Sequence, residues 1–238
     1  VRMDEPPQQS ALPLDAPPSD LSPLLCCGLD EVGRGALAGP LVAAAVILPD
    51  DFMERLGPLA RFLRDSKTVP APRRIEMAER FREHALTVEV VAISVSLINR
   101  RGIGWANREA FRRLIARIDA DEYVVDGRVR PLASPERQAH VRCLVKADAL
   151  VPAVSAASLV AKVYRDTLMC ELHRRHSAFA WNQNAGYGTP AHLAALREHG
   201  PCAEHRTLFV TTALSGGQKA RRRGKSIVQA ALLLDTPE

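Results

Sequence analysis

The sequence predicts an α/β protein with a mixed central β-sheet flanked by helices. Two observations carry this expectation. Short apolar runs bounded by glycine, proline or an acid alternate with longer segments whose apolar residues recur every three or four positions. Several of the short runs also end in a carboxylate, the pattern expected where strand ends deliver chemistry at one edge of an α/β sheet. A chain of 238 residues with 47% hydrophobic content can bury one good core with a small appended segment.

Residues 1–23 are crowded with proline and lack an apolar period, so a flexible tail is expected. Leu24 to Leu29 is apolar. Asp30 and Glu31 follow, then a glycine-rich turn through Gly39-Pro40, then a second apolar run, LVAAAVIL, ending at Pro49. This reads as two strands around a glycine-rich connection. In residues 71–85 a proline-punctuated start leads to Ile75, Ala78, Phe81 and Ala85 at helical spacing, a surface helix with an arginine-rich outer face. TVEVVAISVS alternates as a strand does. Ala106, Ala110, Leu114 and Ile118 mark the next helix.

EYVVDG (122–127) and VRCLVKAD (141–148) read as strands ending in Asp126 and Asp148. From Ser155, the residues Ala157, Val160, Tyr164, Leu168 and Leu172 mark one long helix to about His176. A glycine-bearing loop around Tyr187 follows, then a short helix capped by Thr189 with Pro190 first, stopped by Gly200-Pro201. Residues 213–238 open with the basic run SGGQKARRRGK and read as a solvated flexible tail, with a nucleic-acid tether as the sharper alternative. There are no internal repeats.

The net charge of +5 suits a polyanionic partner, and because residues 1–20 hold one arginine against four acids, the body is itself mildly basic. Five cysteines without a CxxC pair, and no charged-then-apolar leader, suggest a reduced, cytoplasmic protein. The apolar runs fall far below the roughly 20 residues of a membrane span. His173, His176, His192, His199 and His205 cluster late in the chain, but their spacing fits no zinc pattern. No exposed heptad calls for a partner, so a monomer is expected.

Asp30-Glu31, Asp126 and Asp148 bring acid to three strand ends. An acid after a strand ordinarily serves as a cap or turn residue. Clustered carboxylates, however, repel one another and are costly to bury unless a cation sits among them. All-oxygen sites prefer Mg²⁺, with Mn²⁺ as a substitute, and two such ions about 4 Å apart suit phosphodiester hydrolysis. The company these acids keep favours that chemistry: Gly33, Gly35 and Gly39 follow at once, with Arg34 among them. A glycine-rich turn exposes backbone amides to an approaching sugar-phosphate chain. A dinucleotide-binding turn would need a helix directly after the glycines, and here Pro40 and a β-like run follow.

GLDEVGRGALAGPLVAAAVIL, DSKTV, YVVDG, VKADALVPAVSAASLVAKVYRD, NAGYGTPAHLAAL and EHRTLF together resemble the ribonuclease HII family, in order and in spacing, over residues 24–212. The resemblance implies a ribonuclease H-like fold with a small C-terminal helical segment. It also implies an endoribonuclease that hydrolyses the RNA strand of RNA/DNA hybrids and cuts 5′ to ribonucleotides embedded in duplex DNA, leaving 3′-hydroxyl and 5′-phosphate ends by two-metal-ion catalysis. Asp30, Glu31, Asp126 and Asp148 fall on the family's metal-binding acids. Gly33, Arg34 and Gly35 fall on the turn that reads the 2′-hydroxyl, the group that distinguishes RNA from DNA. Tyr187 falls on a tyrosine that stacks on the following deoxyribose. Lys67, Ser158, Lys162 and Arg165 also match, as phosphate contacts or supports for the acids.

This chain departs from the family at Leu150 and Ala185, where many members carry lysine. The sibling ribonuclease HIII would place a folded domain ahead of the catalytic one, where this chain has only residues 1–23. A non-catalytic hybrid-binding module of the same fold is the alternative function; loss of an acid would be its sign, and all four are present. Docking to the replication machinery is left open.

Overall fold

The computed structural model describes residues 24–63 and 69–216, so Lys67 and the two predicted tails, apart from residues 213–216, lie outside the described residues. The elements run β1 (Cys26–Val32), β2 (Leu41–Ile47), α1 (Phe52–Leu56), α2 (Ala60–Leu63), α3 (Ala71–His84), β3 (Thr87–Ile93), α4 (Val95–Arg101), α5 (Ile103–Arg117), β4 (Glu122–Asp126), α6 (Pro135–Gln138), β5 (Val141–Leu144), α7 (Ala147–Leu150), α8 (Pro152–Arg175), α9 (Trp181–Asn184), α10 (Pro190–His199) and α11 (Thr207–Leu214). The strands form one mixed sheet in the order β3-β2-β1-β4-β5. β1 pairs antiparallel with β2, and β2 with β3; β1–β4 and β4–β5 are parallel.

Alternation along the strands divides the interior into two half-cores. Leu41, Ala43, Ala45 and Ile47 of β2 face one side, where Cys27 and Leu29 of β1 meet Ala110, Phe111 and Leu114 of α5. Val42, Ala44 and Val46 face the other, where they meet Phe81 of α3 and Ala157 and Val160 of α8. This two-sided burial is why β2 reads as an unbroken apolar run. Each large side chain so buried contributes about 1.5–3 kcal/mol. Gly28 lets β1 and α8 touch backbone to backbone: a Cβ there would lie 2.2 Å from both Ala153 C and Val154 N. A third cluster, including Leu37, Met169, Phe179, Trp181, Leu196 and Val210, packs the C-terminal helices against the end of α8.

Two expected strands stop early. β3 ends at Ile93, and Ser94, whose Oγ accepts from the Leu97 amide at 3.4 Å, caps a helix where alternation suggested further strand. β5 ends at Leu144. Lys146 takes a left-handed φ of 62°, and Asp148 falls inside the one-turn helix α7 rather than at a strand end. The cap at Thr189 forms as expected, accepting from the His192 amide at 3.3 Å. Among the described residues no helix is long and apolar enough to cross a membrane.

Candidate active site

β1 and β4 run in parallel register with Leu29 opposite Val125, so Asp30 and Asp126 leave neighbouring strands at the same end. Strand alternation sends Asp30 toward α8 and Glu31 toward α5. Asp30 is 8% exposed and its Oδ1 accepts the Glu31 amide at 2.7 Å. Burial pushes its carboxyl up to about 7; the Ser158 hydroxyl on α8 pulls the other way, and the Glu31 and Asp126 charges add to the rise. Glu31 Oε1 accepts from Asn107 Nδ2 of α5 at 3.3 Å and faces Arg34 Nη1 at 3.7 Å. Burial raises the Glu31 carboxyl too; Arg34 opposes this and Asp126 reinforces it. Asp126 Oδ1 accepts the Ala147 amide at 2.8 Å, which ties the end of β4 to α7.

Asp30, Glu31 and Asp126 thus share one electrostatic site. Asp148 follows Ala147, whose amide bonds Asp126, on the one-turn helix α7. It lines an adjoining recess with Met53, Leu63, Leu150 and Ser155. Among the described residues, no three or more His, Cys, Asp or Glu side chains already stand in the arrangement of a metal cage. The chemistry of the set nevertheless fits a hard cation: its donors are carboxylate oxygens, and burial leaves them with excess negative charge.

The glycine turn lies beside these acids. Gly33 has φ 84° and is packed so tightly that a Cβ would meet Arg165 Nε at 2.1 Å. Arg34 and Gly35 are exposed, and their amides donate to no acceptor among the described residues. Lys162 pairs with Asp166 at 2.7 Å and stays about a third exposed, its side-chain exposure being 32%. Tyr187 is 36% exposed, with the Arg165 guanidinium 5.5 Å from its ring centroid.

Arg165 departs from the expected phosphate contact. It is fully buried, and Nε, Nη1 and Nη2 donate to Pro40 O at 3.0 Å, Ala185 O at 2.8 Å and Ala38 O at 3.0 Å. Those bonds join the glycine turn to the Tyr187 loop, so its donors are spent on backbone. Asn107 and Arg206 were not singled out from sequence. Asn107 sits on the buried stripe of α5, where a lone polar residue was the available signal.

Of the late histidines, His192 and His205 are buried and face each other, His173 and His176 are half-buried, and His199 is exposed. His205 Nδ1 accepts the Cys202 amide at 3.0 Å, which leaves Nε2–H to face His192 Nε2 at 3.2 Å. His192 Nε2 also accepts the Trp181 indole N–H at 3.1 Å, and its Nδ1–H donates to Tyr187 O at 2.9 Å. This bonding requires both rings to be neutral. Burial first, and then the neighbouring His192 imidazole, pushes His205 from the usual 6.5 down to about 4. The folded state therefore refuses a proton that the unfolded state accepts. The stabilisation is full above pH 6.5 and lost between 6.5 and 4, amounting to about 3 kcal/mol. Urea unfolding of His205→Gln across that window should show an acid-side loss smaller than wild type by roughly this amount; equal slopes would refute the assignment.

The family model for ribonuclease HII matches residues 27–212. A ribonuclease HII of Paraburkholderia xenovorans is 42% identical over 187 residues, covering 78% of this chain and 72% of that protein. The structure of a PCNA:RNase HII complex from Archaeoglobus fulgidus superposes with TM-score 0.65 at 30% identity, covering 77% of this chain and 94% of the matched chain. A Bst-RNase HIII solved in complex with Mn²⁺ shares the fold, with TM-score 0.60 at 22% identity, covering 84% and 72%.

Proposed function

Because this chain belongs to the ribonuclease HII family, and so is a ribonuclease H and a hydrolase, we propose that it cuts the RNA strand of hybrids and the phosphodiester 5′ to a ribonucleotide embedded in duplex DNA. The observation that carries this reading is that Asp30, Glu31 and Asp126 lie at the same end of the neighbouring central strands β1 and β4, beside the exposed Arg34-Gly35 amides. Asp30, Glu31, Asp126 and Asp148 would hold Mg²⁺ or Mn²⁺, two ions during the reaction. A bound divalent ion supplies positive charge that lowers the pKa of water and stabilises the oxygens of a phosphodiester in displacement.

The chain's own groups orient the reactants. Ser158 and Asn107 fix the rotamers of Asp30 and Glu31 from opposite layers, and the Ala147 amide fixes Asp126. The amides of the Gly33–Gly35 turn meet the 2′-hydroxyl, and Tyr187 meets the following deoxyribose. Lys162 stands near the site as a phosphate contact, and Lys67 is assigned the same role from sequence alone. No side chain acts as a nucleophile: water attacks, leaving a 3′-hydroxyl and a 5′-phosphate. The absence of a disulfide pattern accords with action in the cytoplasm.

The test is cleavage of an end-labelled DNA duplex carrying one ribonucleotide, with Mg²⁺, Mn²⁺ or chelator. A single cut 5′ to the ribonucleotide is expected, absent in chelator and slowed on the order of 1,000-fold in Asp126→Asn, about 4 kcal/mol of barrier. Tight binding without a cut under either metal would replace the nuclease with a hybrid-binding module.

A further inference from the structure

Two arginines, Arg165 and Arg206, are 0% exposed, and neither forms an ion pair among the described residues. Burying a guanidinium without a carboxylate costs several kcal/mol, so such a group persists where carbonyls meet it, and here every nitrogen of both guanidiniums has one. Arg206 Nε and Nη2 both donate to Gly39 O, at 3.0 and 2.8 Å, and Nη1 donates to Arg34 O at 3.1 Å. One planar fork thus clasps both ends of the glycine turn, the fixed multi-donor geometry that arginine provides and lysine does not. Its own backbone is pinned in turn: Arg206 N–H donates to Leu37 O at 2.8 Å, while Asn99 bonds His205 O at 3.2 Å and the Thr207 amide at 3.0 Å.

The bond to Arg34 O has a geometric consequence. Arg34 O and Gly35 N–H belong to one trans peptide group, in which carbonyl and amide point in opposite directions. With the carbonyl held inward by a buried cation, the Gly35 amide must point outward. There Gly35 is exposed, and a Cβ on it would meet nothing within 4 Å. A carbonyl that accepts a charge-assisted bond also polarises its own peptide, making the N–H on the far side a stronger donor.

We propose that Arg206 is the positioning residue that turns the Arg34–Gly35 peptide so that its amide meets the ribose 2′-hydroxyl, giving the protein its preference for a ribonucleotide over a deoxyribonucleotide. This rests on the reading of the turn given above, and it extends that reading to a side chain that never touches substrate. Arg165 holds the neighbouring carbonyls of Ala38 and Pro40 and keeps the turn against the Tyr187 loop, but bonds neither peptide of the Gly33–Gly35 segment.

The test measures binding in the Asp126→Asn protein, with and without Arg206→Lys, to a duplex carrying one ribonucleotide and to the same duplex in all-DNA form. A lysine ammonium lacks the planar fork whose separate nitrogens reach Gly39 O and Arg34 O, so it is expected to keep the first bond and lose the second. The ribonucleotide preference should fall about tenfold while affinity for all-DNA duplex stays within twofold. An unchanged preference, or an equal loss on both duplexes, overturns the proposal. If the Asp126→Asn parent itself shows no preference, the reading of the turn has failed and this inference falls with it. Should Arg206→Lys not fold, the amide proton of Gly35 in ¹⁵N-glycine-labelled Asp126→Asn protein decides. A downfield shift on the ribonucleotide duplex and not on all-DNA duplex supports the outward amide, and no difference between the two refutes it.

Discussion

Asp30→Asn is expected to slow cleavage severely and, in chelator, to make the protein harder to unfold. The carboxylate is 8% exposed, and burial together with Glu31 and Asp126 pushes it from 3.8 up to about 7. An acid whose folded pKa lies above its unfolded value costs stability when charged. The cost is complete above pH 7 and is relieved as pH falls toward 3.8, amounting to about 4 kcal/mol at most. Asparagine keeps an oxygen to accept from Ser158 and from the Glu31 amide while removing the charge. Melting in chelator at pH 8 should place the variant several degrees above wild type, and the gap should narrow at pH 5. Cleavage should fall on the order of 1,000-fold. A variant less stable than wild type at pH 8 would show that the buried charge is compensated by something other than a cation. The expected exchange of stability for activity is the pattern of a site strained for function.

Gly28→Ala is the substitution expected to harm the fold most. Its Cβ would stand 2.2 Å from Ala153 C and Val154 N, which are backbone atoms of α8 and cannot swing aside as a side chain does. The helix must lift from β1, carrying Ser158 away from Asp30 and opening the half-core at Ala157 and Val160. Urea unfolding should lose about 3 kcal/mol, the upper end for an overpacked site, and activity should fall further than the unfolded fraction explains. Gly35→Ala is the contrast: a Cβ there meets nothing within 4 Å, and stability should stay within about 0.5 kcal/mol. Similar losses at both positions would mean that β1 and α8 are not in backbone contact.

The local parts of this protein were legible because their causes are local. The apolar spacing of Ala106, Ala110 and Leu114 marks α5, the Thr189-Pro190 pair marks the start of α10, and Asp30-Glu31 before Gly33 marks the turn. Alternation overran at Val95 because a β-branched residue after Ile93 fits either element; the cap at Ser94 was the better signal. Asp148 was placed at a strand end because nothing in VRCLVKAD announces a left-handed Lys146. The arginines were the least legible. By charge, Arg165 reads as a phosphate contact and Arg206 as part of a matched motif. That each is sealed inside and spends its donors on carbonyls depends on neighbours up to 172 positions away.

Consecutive residues on β1 send Asp30 to one helical layer and Glu31 to the other. Each hydrophobic half of the molecule therefore supplies and steadies one member of the acidic pair, through Ser158 on one side and Asn107 on the other. Turnover is consequently a joint gauge of two interiors. Damage to the α5 layer and damage to the α8 layer, although separated by a whole sheet, should register as misalignment at the same pair of carboxylates.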